Sequence, residues 1–196
     1  VSAPPRAAFL APALVAALCP GFAPPAPCAP ATPDSVAAAS LARIAPRDTS
    51  AVTVFVVRHA EAEPARPGQD PPLSAAGRVR AAALATALRD AGVTAIYTTH
   101  LERTRATGRP LADSLGIGVT SLPASDSAGL VARLEAAPPG ATVLVVGHSN
   151  TVPEIVARLS GWTPPPIAHD DFGRLYVVTR APGRAARVIA LRLGAP

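Results

Sequence analysis

The chain has 196 residues, 49% of them apolar, which is enough for one ordinary domain with a buried core. Its 18 basic residues are all arginine and outnumber 13 acidic ones, for a formal charge of +5. The arginines are dispersed, without a basic block or interleaved aromatics. This argues against a nucleic-acid surface and fits a solvated surface or a mild attraction for anionic substrates.

Residues 1–31 differ in composition from the rest. Arg6 is the only charge, Ala7 to Leu18 is an apolar run, and Ala29-Pro30-Ala31 follows as a small-x-small site. This order matches the three regions of a secretory signal peptide cut after about Ala31. An uncleaved tail is the other reading. The run is too short and too rich in proline to span a bilayer. Cys19 and Cys28 are the only cysteines, and Leu18 before Cys19 argues against lipidation. A cleaved chain would have no thiol, hence no disulfide, Cys metal site or Cys nucleophile. It would keep 17 arginines against 13 acids, a formal +4.

Residues 32–50 read as a linker or a short peripheral helix, Ser35 to Ile44, and the globular part spans 51–196. Ala51 to Phe55 begins a β-branched, uncharged strand that ends at Arg58-His59. A Pro/Gly-rich loop runs to Pro72. Ser74 caps a helix expected to reach about Ala91, with Gly92 as its stop. Val79, Ala83, Leu84, Ala87, Leu88 and Ala91 form its expected apolar stripe. A short strand, Val93 to Thr98, and a helix, Glu102 to Gly116, interrupted by Pro110, come next. Ile117 to Leu122 is strand-like, and Leu130 to Ala136 lies in a short helix. Thr142 to Gly147 is a second buried strand, and it delivers His148. A helix over about Pro153 to Ser160 precedes two strands, Arg174 to Thr179 and Ala186 to Leu193, joined at Pro182-Gly183. This alternation predicts a three-layer α/β/α fold, with a mostly parallel central sheet and an antiparallel C-terminal hairpin.

Two buried strands each ending in a histidine are the main functional signal. Ligands in open α/β sheets bind just outside the carboxyl ends of the strands. A neutral imidazole there is a nucleophile, a general base or a metal ligand. A metal site needs three ligands. Only His100 and His169 remain as further histidines, so Glu61 and Glu63 would have to complete it, and Arg58 would repel a dication. An arginine beside His59 instead favours an anion, because the guanidinium suits bidentate contact with phosphate oxygens. The combination points to phosphoryl transfer with histidine as covalent nucleophile.

Four short segments then resemble the histidine phosphatase superfamily, in its phosphoglycerate-mutase-like branch. Arg58-His59-Ala60-Glu61 resembles its R-H-G-E signature, and Leu73-Ser74-Ala75-Ala76-Gly77 its L-[ST]-x-x-G helix start. Thr99-His100-Leu101-Glu102-Arg103-Thr104 resembles its S-x-L-x-R-[AT] turn, and Gly147-His148-Ser149 its G-H-[SG] segment. The resemblance covers about Val52 to Leu193. It implies that His59 attacks phosphorus and becomes a phosphohistidine, with Arg58, Arg103 and His148 holding the phosphoryl oxygens. Arg103 enters through the resemblance alone.

Departures from the family pattern narrow the expectation. Ala106-Thr107-Gly108 stands where Gln-Thr-Ala is common, and the loop Glu63 to Pro72 lacks the Trp-Asn of the mutases. Ser121 to Leu134 is short where mutases carry long insertions. A compact phosphatase is therefore expected over a phosphoglycerate-mutase-type phosphotransferase. It would act on a small phosphorylated substrate or a phosphoprotein and need no cofactor or metal. Asp126 is the candidate general acid, with Glu61 as the alternative; capping the following helix is the other reading of Asp126. A phosphate- or phosphoprotein-binding module that has lost the acid is the competing function. Cleavage of the leader would place the protein in the periplasm or outside the cell, without stable membrane insertion; an intact leader would leave it cytoplasmic.

Overall fold

The computed structural model describes residues 49–66 and 68–194. The chain divides into two units, Val1–Ala45 and Pro46–Pro196. The first unit lies outside the described residues, as do the expected signal peptide and the expected helix Ser35 to Ile44.

The second unit alternates strands and helices. They are β1 (Val52–Arg58), α1 (Ala75–Leu88), β2 (Ala95–Thr99), α2 (Glu102–Leu115) and β3 (Val119–Leu122). After these come α3 (Ser127–Glu135), β4 (Thr142–Gly147), α4 (Thr151–Ser160), β5 (Arg174–Arg180) and β6 (Arg187–Arg192). The six strands form one sheet in the order β3-β2-β4-β1-β5-β6. The pairs β2–β3, β2–β4 and β1–β4 are parallel, and β1–β5 and β5–β6 are antiparallel. This is the expected mostly parallel sheet with an antiparallel end.

Side-chain alternation explains the three layers. Val54, Val56, Val143 and Val145 face α3 and α4, packing with Val131, Leu134, Val152, Ile155 and Val156. Val57, Leu144 and Val146 face the other way, against Leu84 and Leu88 of α1 and Leu111 of α2. With both faces covered, β1 and β4 need continuous apolar runs rather than alternating ones.

Two helices depart from expectation. On α1 the buried residues are Gly77, Ala81, Leu84, Ala85 and Leu88. Val79, assigned to the apolar stripe, is 72% exposed. The first turn decides the face. The Ser74 hydroxyl accepts from the Gly77 N–H, and Gly77 lies so close to Glu61 that a Cβ would run into the Glu61 carbonyl oxygen. With Gly77 seated there, the inward face follows at positions 81, 84, 85 and 88. The second departure is α2, which continues through Pro110 instead of being interrupted. Its inner face, Thr104, Thr107, Gly108, Leu111 and Ala112, is buried on both sides of that proline. This packing offsets the lost backbone bond.

Candidate active site

The site forms at the carboxyl ends of β1, β2 and β4. In the β1–β4 ladder Arg58 lies opposite Gly147, and the His59 N–H donates to the Gly147 carbonyl. His59 and His148 therefore emerge side by side, with ring centroids 5.4 Å apart in an edge-to-face arrangement. The Ala60 N–H donates to the Thr107 hydroxyl of α2, and the His148 N–H to the Thr151 hydroxyl of α4. Both histidine-bearing turns are thereby tied to a helix.

The tautomer of His59 follows from its partner. Its Nδ1 lies 2.7 Å from the Ala60 carbonyl oxygen, which can only accept. Nδ1 therefore carries the proton, and Nε2 keeps the lone pair. Burial depresses the His59 pKa to about 4, with Arg58 and Arg103 adding to the effect. Burial likewise lowers His148 to about 4, helped by His59, Arg103 and Arg58. Both imidazoles are neutral near pH 7.

The arginines supply the positive charge. Arg58 is buried, and its Nη1 donates to the carbonyls of Ala168, His169 and Asp171 at 2.9, 2.8 and 3.2 Å. Its guanidinium lies 4.0 Å from the centroid of the Phe172 ring, and that ring also lies near His59, with centroids 6.1 Å apart. Arg58 Nε is buried and has no hydrogen-bond partner among the described residues. Arg103, in the first turn of α2, is half-buried; its Nη1 stands 3.4 Å from Asp70, which also accepts from the Glu102 N–H.

Arg58, His59, Arg103 and His148 line one open cleft of about 850 Å³, joined by Glu63, His169 and Phe172. Four of the five residues singled out in the sequence thus converge. Asp126 does not join them. Its carboxylate caps α3 by accepting from the Gly129 N–H, and it lines a neighbouring crevice that shares Ala124 and Thr151 with the cleft. Glu61, the alternative acid, is held in a forked ion pair by Arg80, 2.7 Å at its shortest, and this hydrogen bonding lowers its pKa. Sequence reasoning missed Phe172, the carbonyls around it, and the hydroxyls of Thr99 and Thr104. Phe172 follows two acidic residues in a loop, and no local pattern marks it.

Fold and cleft together define an α/β protein whose two histidines and two arginines meet at the carboxyl ends of its parallel strands. The family model described as histidine phosphatase superfamily, branch 1, matches residues 54–126, which include Arg58, His59 and Arg103. The native structure of a mycobacterial glucosyl-3-phosphoglycerate phosphatase is similar in fold, with a TM-score of 0.60 at 17% identity, over 74% of this chain and all of that one. The protein histidine phosphatase SixA, complexed with tungstate, gives 0.58 at 22% identity, over 71% of this chain and 96% of its own. YhfR of Bacillus stearothermophilus gives 0.58 at 17%, over 70% and 95%. No curated protein matches the chain in sequence. The sequence thus matches the histidine phosphatase superfamily model over residues 54–126, and the fold is similar to those of these solved structures.

Proposed function

We propose that the protein is a metal-independent phosphatase that hydrolyses phosphate monoesters or phosphohistidine through a covalent phosphohistidine on His59. The observation that carries this reading is the His59 Nδ1 contact with the Ala60 carbonyl, which leaves a neutral Nε2 in a cleft lined by two arginines and a second histidine. The Nε2 lone pair attacks phosphorus, and the bond from phosphorus to the leaving oxygen or nitrogen breaks with the electron pair on the leaving atom, which takes up a proton. Water then attacks the phosphohistidine, releasing inorganic phosphate and restoring His59. Arg58, Arg103 and His148 stabilise the charge that spreads over the phosphoryl oxygens. Similarity to a glucosyl-3-phosphoglycerate phosphatase and to a protein histidine phosphatase supports both substrate classes.

Two carboxylates are candidates to protonate the leaving group: Asp126, in the neighbouring crevice, and Glu63, which lines the cleft itself. The position of Asp126 outside the cleft leaves Glu63 as the better placed acid; if Glu63 does not serve, the second reading holds, a phosphate- or phosphoprotein-binding module without an acid.

Full-length protein in EDTA, incubated with labelled phosphomonoesters and a phosphohistidine peptide, decides between them. Turnover, with alkali-stable and acid-labile label on His59, is the expected result; His59→Ala should lose both. Stoichiometric phosphate binding with no label and no turnover identifies a binding module. Label on another residue, or wild-type turnover by folded His59→Ala, overturns the mechanism.

A further inference from the structure

His148 has its own support, separate from the backbone bond that fixes His59. Its Nε2 lies 3.1 Å from the hydroxyl of Thr99, the last residue of β2. The Thr99 hydroxyl lies 2.9 Å from that of Thr104 in α2, and it also accepts from the Leu101 N–H at 3.3 Å. The Thr104 oxygen has two further neighbours, the carbonyls of Leu101 at 2.7 Å and Thr99 at 3.0 Å. Thr99, Thr104 and His148 are all buried.

Proton counting gives the chain a direction. Carbonyl oxygens only accept, so the single Thr104 proton goes to one of them. The Thr104 oxygen is then an acceptor for the Thr99 proton. The Thr99 oxygen in turn accepts from the Leu101 N–H and has room for one more donor, which is His148 Nε2–H. This arrangement satisfies every member. The reverse, with Thr99 donating to a bare Nε2, leaves the buried Thr104 oxygen without a donor, and unmet buried polar groups are unfavourable. Among the described residues His148 Nδ1 has no hydrogen-bond partner, and it is not fully buried.

We propose that the Thr99–Thr104 hydroxyl pair is a positioning device that holds the proton on His148 Nε2 and leaves Nδ1 bare, so that Nδ1 takes up the P–OH proton of a phosphate monoanion and the resulting imidazolium donates it back to a phosphoryl oxygen. Its consequence for rate rests on the phosphatase reading; its consequence for the tautomer does not. Thr99 and Thr104 act through His148 and need not touch substrate. A fixed tautomer matters because the imidazole must present the same atom to every substrate, as in other sites where an orienting hydrogen bond sets the ring.

The test uses full-length protein labelled with ¹⁵N-histidine, with the His148 signals identified by their loss in His148→Gln. Long-range ¹H–¹⁵N spectra at neutral pH should show His148 protonated at Nε2. Thr99→Val should give mixed tautomers and lower kcat by about tenfold, the scale of one lost hydrogen bond. Thr99→Ser, which keeps the hydroxyl, should restore both. A wild-type His148 protonated at Nδ1 overturns the proposal, as does a folded Thr99→Val with unchanged tautomer and rate. Should Thr99→Val not fold, the wild-type spectrum and Thr104→Val decide. An Nε2-protonated His148 in a protein that turns over no phosphorylated substrate sinks the enzymatic reading and leaves the positioning role standing.

Discussion

His59 and His148 meet edge to face, 5.4 Å between ring centroids, at the ends of two adjacent parallel strands. Neither ring is charged near pH 7, because burial lowers both pKa values to about 4. The positive potential of the cleft therefore comes from Arg58 and Arg103. Positive guanidinium groups beside neutral imidazoles are the combination that the proposed histidine nucleophile requires.

The same shifts set a pH dependence. An unfolded histidine binds its proton near pH 6.5, whereas folded His59 and His148 resist until about 4. The unfolded state binds more protons between these values, so stability is greatest above about 6.5 and declines as pH falls toward 4. Urea midpoints should fall across this window, and His59→Gln should flatten the slope. Activity should persist at pH 5 and fade toward pH 4 as His59 protonates. A wild-type midpoint that is flat from pH 7 to 4.5 would contradict the assignment.

Among the described residues, the Arg103 side chain has one ion-pair partner, Asp70, at 3.4 Å. Arg103→Ala should therefore fold normally. Turnover should drop by at least about 100-fold, the scale of removing one electrostatic donor from a transition state. A near-normal rate in the folded variant would show that the Thr99 to Thr104 motif match is accidental.

Gly77 has no room for a side chain, because a Cβ would meet the Glu61 carbonyl oxygen, a backbone atom of the loop after His59. Gly77→Ala should destabilise the protein by at least about 2 kcal/mol in denaturant unfolding, since overpacking against backbone cannot relax by a rotamer change. Gly68→Ala is a control of another kind: its Cβ would meet nothing, and any loss there reflects the positive φ of 82°.

Asp126 caps α3 through the Gly129 N–H. Asp126→Ala should lower stability by about 1 kcal/mol, the usual effect of losing such a cap. Turnover on a substrate with a good leaving group, such as an aryl phosphate, should be unchanged. A kcat loss confined to poor leaving groups would instead assign Asp126 the acid role. Glu63→Gln, measured on the same pair of substrates, tests the carboxylate that lines the cleft.

The apolar runs of β1 and β4 were legible as buried strands because a strand covered on both faces needs them. Arg58, His59 and His148 were legible with them, since a residue at the carboxyl end of such a strand opens onto the crevice of an α/β sheet. Arg103 needed the four-motif resemblance, because an arginine in the first turn of a helix looks like a surface charge. The α1 face was not legible: alanine occupies so many of its positions that several stripes are equally apolar, and the contact between Gly77 and Glu61 selects among them.

The sequence by itself determined the layered α/β fold and the histidines at its strand ends, since hydrophobic periodicity and chain order are local properties. The tertiary structure alone decided how the side chains meet. It brought Phe172 and three carbonyls from beyond α4 around Arg58, more than a hundred residues away along the chain. It set Thr99 against His148 across neighbouring strands, and it took Asp126 to the cap of α3 instead of the cleft. Hydrogen-bond direction and burial depend on distances of a few ångströms between segments remote in sequence, and no local pattern encodes those distances.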